Sequence, residues 1–235
     1  MSLLRTAQRG ILGRTTFHSH AHPVLERYTP TQLEIFSSAM KQVPKHGFVS
    51  QTISLGARDA GYLEASHVLF PRGGWSLVEY YLVTERLRLS SLKKTIETEE
   101  VGTSNKIRRL IKERLERNKD IIDRWPEALA VMAMPSNLSD SLAELARLSD
   151  DLWHIAGDTS ADMSWYSKRA SLCAVYASTE LFMTQDKSPE FVDTWKFLDR
   201  RLENVQNIGR AFSEASIFLG FNARSAFNVW KSFRP

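Results

Sequence analysis

Apolar residues recur at intervals of three and four along most of this chain, the period of amphipathic helices, and short polar or glycine-bearing breaks separate the runs. Leu33, Ile35, Phe36, Ala39 and Met40 predict a first helix, capped by Thr31 and ending before the turn at residues 44–47. Residues 48–60 predict a second that stops at Gly61, and residues 63–70 a short third, stopped by Pro71 and the Gly73, Gly74 pair. A long helix over residues 75–94 follows, then a polar stretch, KKTIETEEVGTSNKIRR, that reads as an exposed connection. Helical spacing restarts at Ile107, Leu110, Ile111 and Leu115. Trp125 and Pro126 open a short helix over residues 128–134, ended by Pro135. The next run, residues 138–155, meets Gly157 where a C-cap glycine belongs. Asp158, Thr159, Ser160 and Asp162 then offer N-cap oxygens for another helix. From Ala170 to Ala177 that helix is apolar on nearly every face, which predicts burial on all sides at the centre of a bundle. Its first turns bring Trp165 and Tyr166 beside Lys168 and Arg169, a candidate functional surface.

Both ends of the chain differ from this middle. The first 23 residues carry Arg5, Arg9 and Arg14 with no acidic residue before Glu26, the pattern of a mitochondrial transit peptide. After Gly209, the spacing of Phe212, Leu219, Ala226, Val229, Trp230 and Phe233 predicts an aromatic-rich amphipathic helix with cations on its other side. Phe218 and Phe221 widen its apolar face, so Phe218, Phe221 and Trp230 are the candidate membrane-binding residues. Packing on the body or on a dimer partner is the alternative for this segment.

The 235 residues are 43% hydrophobic, enough for a sizeable core, with no run of 18 apolar residues. The single Cys173 excludes a disulfide framework. Net charge is +4, but of the 31 Lys and Arg, three lie in the leader, leaving 28 against 27 acidic residues. The body therefore has no excess charge to neutralise phosphates.

Helix, short turn, helix is helix-turn-helix geometry, yet between Arg58 and Arg72 there is no basic residue to contact a DNA backbone. Nucleic acid is thus not expected as a partner. His154, with Asp150 and Asp151 before it, makes one ligand-like group without a second, so neither a metal nor another cofactor is expected. No nucleophile elbow or glycine-rich phosphate loop occurs, and no enzyme activity is expected. Met132, Met134, Phe182 and Met183 are adaptable enough to line a pocket for a bendable lipid tail, although ordinary core packing is the more common explanation for such a set.

Several long motifs, RWPEALAVMAMP, DDLWHIAGD, DMSWYSKRA, STELFMTQD and SPEFVDTWKFLDRRL, together resemble the mitochondrial accessory proteins of ubiquinone biosynthesis, a lipid-binding family. The resemblance runs collinearly over residues 45–202. The stretch GFVSQTISLGARDAGYLEASHVLF resembles a TetR-type reading head. The resemblance implies an all-α, TetR-like helical bundle with a degenerate amino-terminal helix-turn-helix. Four regions are expected: a transit peptide (1–23), the head (24–95), a lipid-binding helical domain (96–208) and a membrane-associating helix (209–235). It further implies a non-enzymatic, dimeric factor, peripheral on the matrix side of the inner membrane. Such a factor binds isoprenoid quinone precursors and phospholipid, and presents the precursor to the pathway's di-iron hydroxylase within a multi-enzyme complex. Carried over by position, the family's partner patch falls on Leu115, Leu152, Asp162, Trp165 and Tyr166, and its lipid head-group contact on Arg169. A TetR-type transcriptional regulator is the alternative function.

Overall fold

The computed structural model describes residues 28–63, 68–158 and 164–205. All regular structure among them is helical. Helix α1 spans Pro30–His46, α2 Ser50–Asp59, α3 Gly74–Arg88, α4 Lys93–Glu99 and α5 Thr103–Glu116. Helices α6 (Trp125–Ala133), α7 (Pro135–Ile155) and α8 (Ser164–Met183) follow, and residues 192–205 form a further helix, α9.

The start of α1 lies two residues earlier than the sequence predicts. Thr29 is the cap, because Pro30 suits the first helical position and Gln32 completes a capping box. The Thr29 hydroxyl accepts the Gln32 N–H at 3.3 Å, and the Gln32 side chain accepts the Thr29 N–H at 2.9 Å. The helix also runs through Pro44 rather than ending there. It stops at Gly47, whose φ of +73° and N–H bond to the Val43 carbonyl turn the chain into α2. A further carbonyl of the last turn, that of Lys45, accepts from Arg124 at 2.8 Å.

The expected long helix over residues 75–94 is instead α3, a 3-10 turn at Leu89–Leu92, and α4. All of the expected connection except residues 100–102 is thus helical, with the buried Ile96 anchoring α4, and only the break at Gly102 survives. Gly157 behaves as its position predicts. At φ +88° its N–H donates to the His154 carbonyl while the Asp158 N–H donates to that of Trp153, a complete Schellman cap on α7.

Two apolar clusters hold these helices. The first joins Ile35, Phe36, Ile53, Trp75 and Tyr81 with Trp125 and Ala128, so the head packs on residues from beyond the expected boundary at 95. The second joins Leu110, Ile111, Leu115, Leu152, Ile155, Leu172, Tyr176 and Leu198. Helix α8 is not buried on all sides. Tyr166, Ala170, Ala174, Ala177 and Leu181 are exposed along one stripe, while Arg169, Leu172, Tyr176, Glu180 and Met183 face inward. Alanine raises a helix's apolar count through its high propensity but removes so little area from water that exposure costs little. The third head helix falls partly on residues 64–67, outside the described residues, as do the leader and the segment from 206 onward.

Close packing of α1 on α2 depends on Gly56, where a Cβ would stand 2.5 Å from the Ala39 backbone nitrogen. Gly56→Ala is expected to destabilise the protein by about 1–3 kcal/mol despite its better helix propensity, read as a lower denaturant midpoint.

The start of α9 depends on Asp186. Its carboxylate accepts from the N–H groups of Ser188 (2.7 Å) and Thr194 (2.9 Å) and from the Thr194 hydroxyl (2.6 Å). Burial pushes its pKa up, but these donors outweigh burial and hold it at about 2. A depressed carboxyl stabilises the fold above its unfolded value of about 3.9, and that contribution is lost as pH falls toward about 2. The stability gap between the wild type and Asp186→Asn should therefore be constant above about pH 5 and close between about pH 4 and 2, followed by urea titration.

Candidate functional site

Helix α5 places polar groups where its spacing asks for apolar ones. Ile107, Leu110, Ile111 and Leu115 are buried on one face, and Arg114 and the following Asn118 continue that face and are buried with them. Arg114 is 1% exposed. From α8, Tyr176 and Glu180 meet them one helical turn apart. Asn118 gathers the group. Its side-chain oxygen accepts from Tyr81 at 2.8 Å and from Arg114 Nη1 at 3.1 Å. Its amide donates to Glu180 at 3.3 Å, which also accepts from the Tyr176 hydroxyl at 3.2 Å. Burial raises the Glu180 carboxyl above its ordinary range and the Tyr176 phenol well above its own. For Arg114 burial works against the charge, but Tyr176, Tyr81 and Glu180 outweigh it and the guanidinium is held still more firmly protonated.

Arg114, Tyr176 and Glu180 of this group, with Ser141 and Glu144 of α7, are the polar lining of a cavity of about 220 Å³. Its remaining walls are apolar: Leu82 of α3, Leu129 and Met132 of α6, and Leu145 and Leu148 of α7. The mouth is formed by Ala133, Leu138, Leu142 and Ala177, which are exposed, Leu142 at 57%. Beside the cavity, Arg86 of α3 binds Glu144 at 2.5 Å and Asp151 at 2.6 Å, all three buried.

Of the lipid-pocket residues expected from sequence, only Met132 lines this cavity. Met134 is half-exposed at the cap between α6 and α7. Met183 is fully buried in the second cluster, and Phe182 stacks on Phe197 with ring centroids 4.6 Å apart, so both serve as packing. Arg169 is also elsewhere: it binds Asp150 at 2.7 Å and lies over the Trp165 ring at 3.8 Å. The expected partner patch divides in the same way. Leu115 and Leu152 have no exposed surface and belong to the second cluster, which corrects their assignment as surface contacts. Trp165 and Tyr166 do reach the surface, edge-to-face at 4.7 Å, with Tyr166 74% exposed. Asp162, Phe218, Phe221 and Trp230 lie outside the described residues.

Arg114, Asn118, Tyr176 and Glu180 were not singled out by sequence. The available signal was a cation and an amide on the apolar stripe of α5, and a carboxylate on the inward stripe of α8. Among the described residues no group of three or more His, Cys, Asp or Glu is placed to hold a metal ion, and no helix is long and apolar enough to cross a membrane. Cys173 is half-buried with its thiol pKa raised by burial.

Because Tyr166 contributes little to the core, Tyr166→Ala should leave stability within about 0.5 kcal/mol of wild type in denaturant unfolding. Trp165→Ala uncovers the Arg169–Asp150 pair and should cost measurably more.

Comparison with known proteins follows from this arrangement. The COQ9 family model matches residues 138–209, the span of α7, α8 and the described part of α9. The mitochondrial ubiquinone biosynthesis protein coq9 of Schizosaccharomyces pombe is 38% identical over 221 residues, covering 94% of this chain and 88% of that protein. The mitochondrial ubiquinone biosynthesis protein COQ9 of Homo sapiens is 36% identical over 185 residues, covering 76% of this chain and 58% of that protein. A TetR transcriptional regulator from Nitrosomonas europaea superposes with a TM-score of 0.60 at 15% identity, over 76% of this chain and 99% of that one. That likeness establishes a TetR-like fold. With more than a third of its residues identical to a curated relative along nearly its whole length, the chain belongs to the COQ9 family.

Proposed function

We infer that this protein acts in mitochondrial ubiquinone biosynthesis as a non-enzymatic lipid-binding factor. It takes a polyprenylated ubiquinone precursor from the inner membrane, on the matrix side, and presents it to the di-iron hydroxylase of the pathway and its multi-enzyme complex. The observation that carries lipid binding is the cavity walled by Leu82, Leu129, Met132, Leu145 and Leu148, whose apolar lining continues to exposed leucines at its mouth. The relatives' names supply the pathway and the organelle.

Presentation to a partner rests on Trp165 and Tyr166. Rigid aromatics exposed on a helix face are the side chains that anchor protein interfaces. The membrane role stays with the segment holding Phe218, Phe221 and Trp230, and a homodimer is the assembly we assign. The TetR-like fold at 15% identity does not favour DNA regulation, and no basic residue lies between Arg58 and Arg72.

Mass spectrometry of extracts from the purified full-length chain should find an isoprenoid quinone precursor or phospholipid. Leu142→Trp, which fills the mouth from an exposed position, should lose that lipid with its melting temperature within a few degrees of wild type. The variant with both Trp165→Ala and Tyr166→Ala should keep the lipid and lose co-purification with the hydroxylase. Lipid-free wild-type protein that binds duplex DNA tightly would overturn this reading.

A further inference from the structure

The mouth of the cavity is bounded by a stretch of α7 that the apolar core does not hold. From Glu144 onward the helix buries Leu148, Leu152 and Ile155, but over residues 135–143 it buries Asn137 alone. The two leucines of that stretch, Leu138 and Leu142, are exposed at the mouth. Few buried apolar contacts make a segment easy to displace, so its position rests on polar side chains.

Arg72, in the turn that leads from the head into α3, reaches these turns. Its Nη1 donates to the Asp140 carboxylate at 2.6 Å, and its Nη2 donates to the Asn137 side-chain oxygen at 3.0 Å and to the Ser136 carbonyl at 3.3 Å. The guanidinium is braced over the ring of Trp75, 5.1 Å from its centroid, and Trp75 is buried in the first cluster. Asn137 Nδ2 donates in turn to the Val131 carbonyl at 2.9 Å and the Ser141 hydroxyl to that of Met132 at 3.1 Å, so α6 is tied to the same turns. Behind this wall there is room. A second cavity of about 250 Å³ lies between α3 and α7, lined by Trp75, Glu79, Asp140 and Arg147, and it shares Leu82 and Glu144 with the first. Arg86 pins α7 at Glu144, so the helix is fixed from there onward and bordered by space on both sides before it.

We propose that Arg72 is the latch of the lipid cavity. While it holds Ser136, Asn137 and Asp140 the mouth is narrow; when it lets go, residues 135–143 swing toward α3 into the second cavity and the mouth widens to pass a ligand. This rests on the lipid-binding reading above and adds how that site is gated. Arg72 does not line the cavity and acts as a positioning residue. The side chains of Arg72 and Asp140 are 40% and 48% exposed, so salt screens their attraction. Entry of an uncharged ligand should therefore depend on ionic strength.

Stopped-flow fluorescence of phenylnaphthylamine, an uncharged dye, tests this on the full-length protein. Arg72→Gln should speed uptake and release alike by about tenfold, the scale of a lost set of charge-assisted hydrogen bonds, and leave the equilibrium affinity nearly unchanged. Raising salt from about 0.05 M to about 0.5 M should speed wild-type uptake about two- to fivefold and leave Arg72→Gln unaffected. Hydrogen exchange should quicken over residues 138–143 in Arg72→Gln and stay unchanged over residues 148–155, which a general loss of stability would not produce. If Arg72→Gln fails to fold, Asp140→Asn removes the half-exposed ion pair alone and should show faster, salt-independent uptake. Equal uptake by wild type and the folded variant overturns the latch and leaves the cavity standing. Faster release with unchanged uptake also overturns it, since that is weaker binding and not gating. A wild type that takes up no dye, or undiminished uptake by Leu142→Trp, overturns the lipid-binding reading itself.

Discussion

Asn118 joins the two apolar clusters. Its side chain takes hydrogen bonds from Tyr81, which belongs to the first cluster, and gives one to Glu180, which Tyr176 of the second cluster also contacts. Hydrophobic burial is non-directional and permits helices to slide or rotate against one another. A buried amide with its donors and acceptors assigned permits one arrangement, because any shift leaves a polar group unpaired in a low dielectric. The Arg86 ion pairs with Glu144 and Asp151 act in the same way between α3 and α7. Removing one member of such a buried group typically costs about 3–5 kcal/mol, since the partners remain charged and dry. The position of α3 against α5, α7 and α8 therefore follows from polar chemistry inside an otherwise apolar bundle.

The same chemistry shapes the cavity. A bundle packed only with leucine and alanine would close on itself to the density of a protein interior. Where Arg114, Tyr176, Glu180 and Glu144 must keep their partners, the walls cannot collapse freely, and a space persists between α6, α7 and α8. It opens at residues whose exposure would be unremarkable one by one. Leu138 and Leu142 on α7 and Ala133 on α6 are apolar surface at its opening.

Trp165 and Tyr166 are set apart from the cavity along the axis of α8, about 16 Å between Tyr166 and Ala177 at roughly 1.5 Å per residue. The inward face of that helix carries Tyr176 and Glu180, while Tyr166 lies on the stripe of Ala170, Ala174, Ala177 and Leu181. Arg169 sits under Trp165 and is tied to Asp150 of α7, so the aromatic pair is held on a fixed base at the junction of α7 and α8. One helix, α8, thus carries both the aromatic pair and part of the cavity lining.

Much was legible without coordinates because helix periodicity, capping and the special conformations of glycine are local properties. Helices α1, α2, α6, α7 and α8, the stop at Gly157 and the exposed Tyr166 follow from residues a few positions apart, whereas the division of residues 75–94 between α3 and α4 does not. The family resemblance rests on local strings as well. Local reading failed where a distant neighbour decided. Ala170 to Ala177 appeared suited to complete burial, but only the packing of α7 and α5 shows which face is covered. Leu115, Leu152, Phe182 and Met183 are apolar in sequence whether they line a pocket, meet a partner or fill a core, and the fold assigned them to packing. Arg114, Asn118 and Glu180 carry the opposite ambiguity, since a charged residue on an apolar stripe is either a solvated exception or the centre of a buried network. Sequence determined which residues are helical and which face of each helix is apolar. Tertiary structure alone decided which polar groups are sealed together, because a hydrogen bond between residues 62 positions apart depends on how α5 and α8 cross, and no local pattern encodes that crossing.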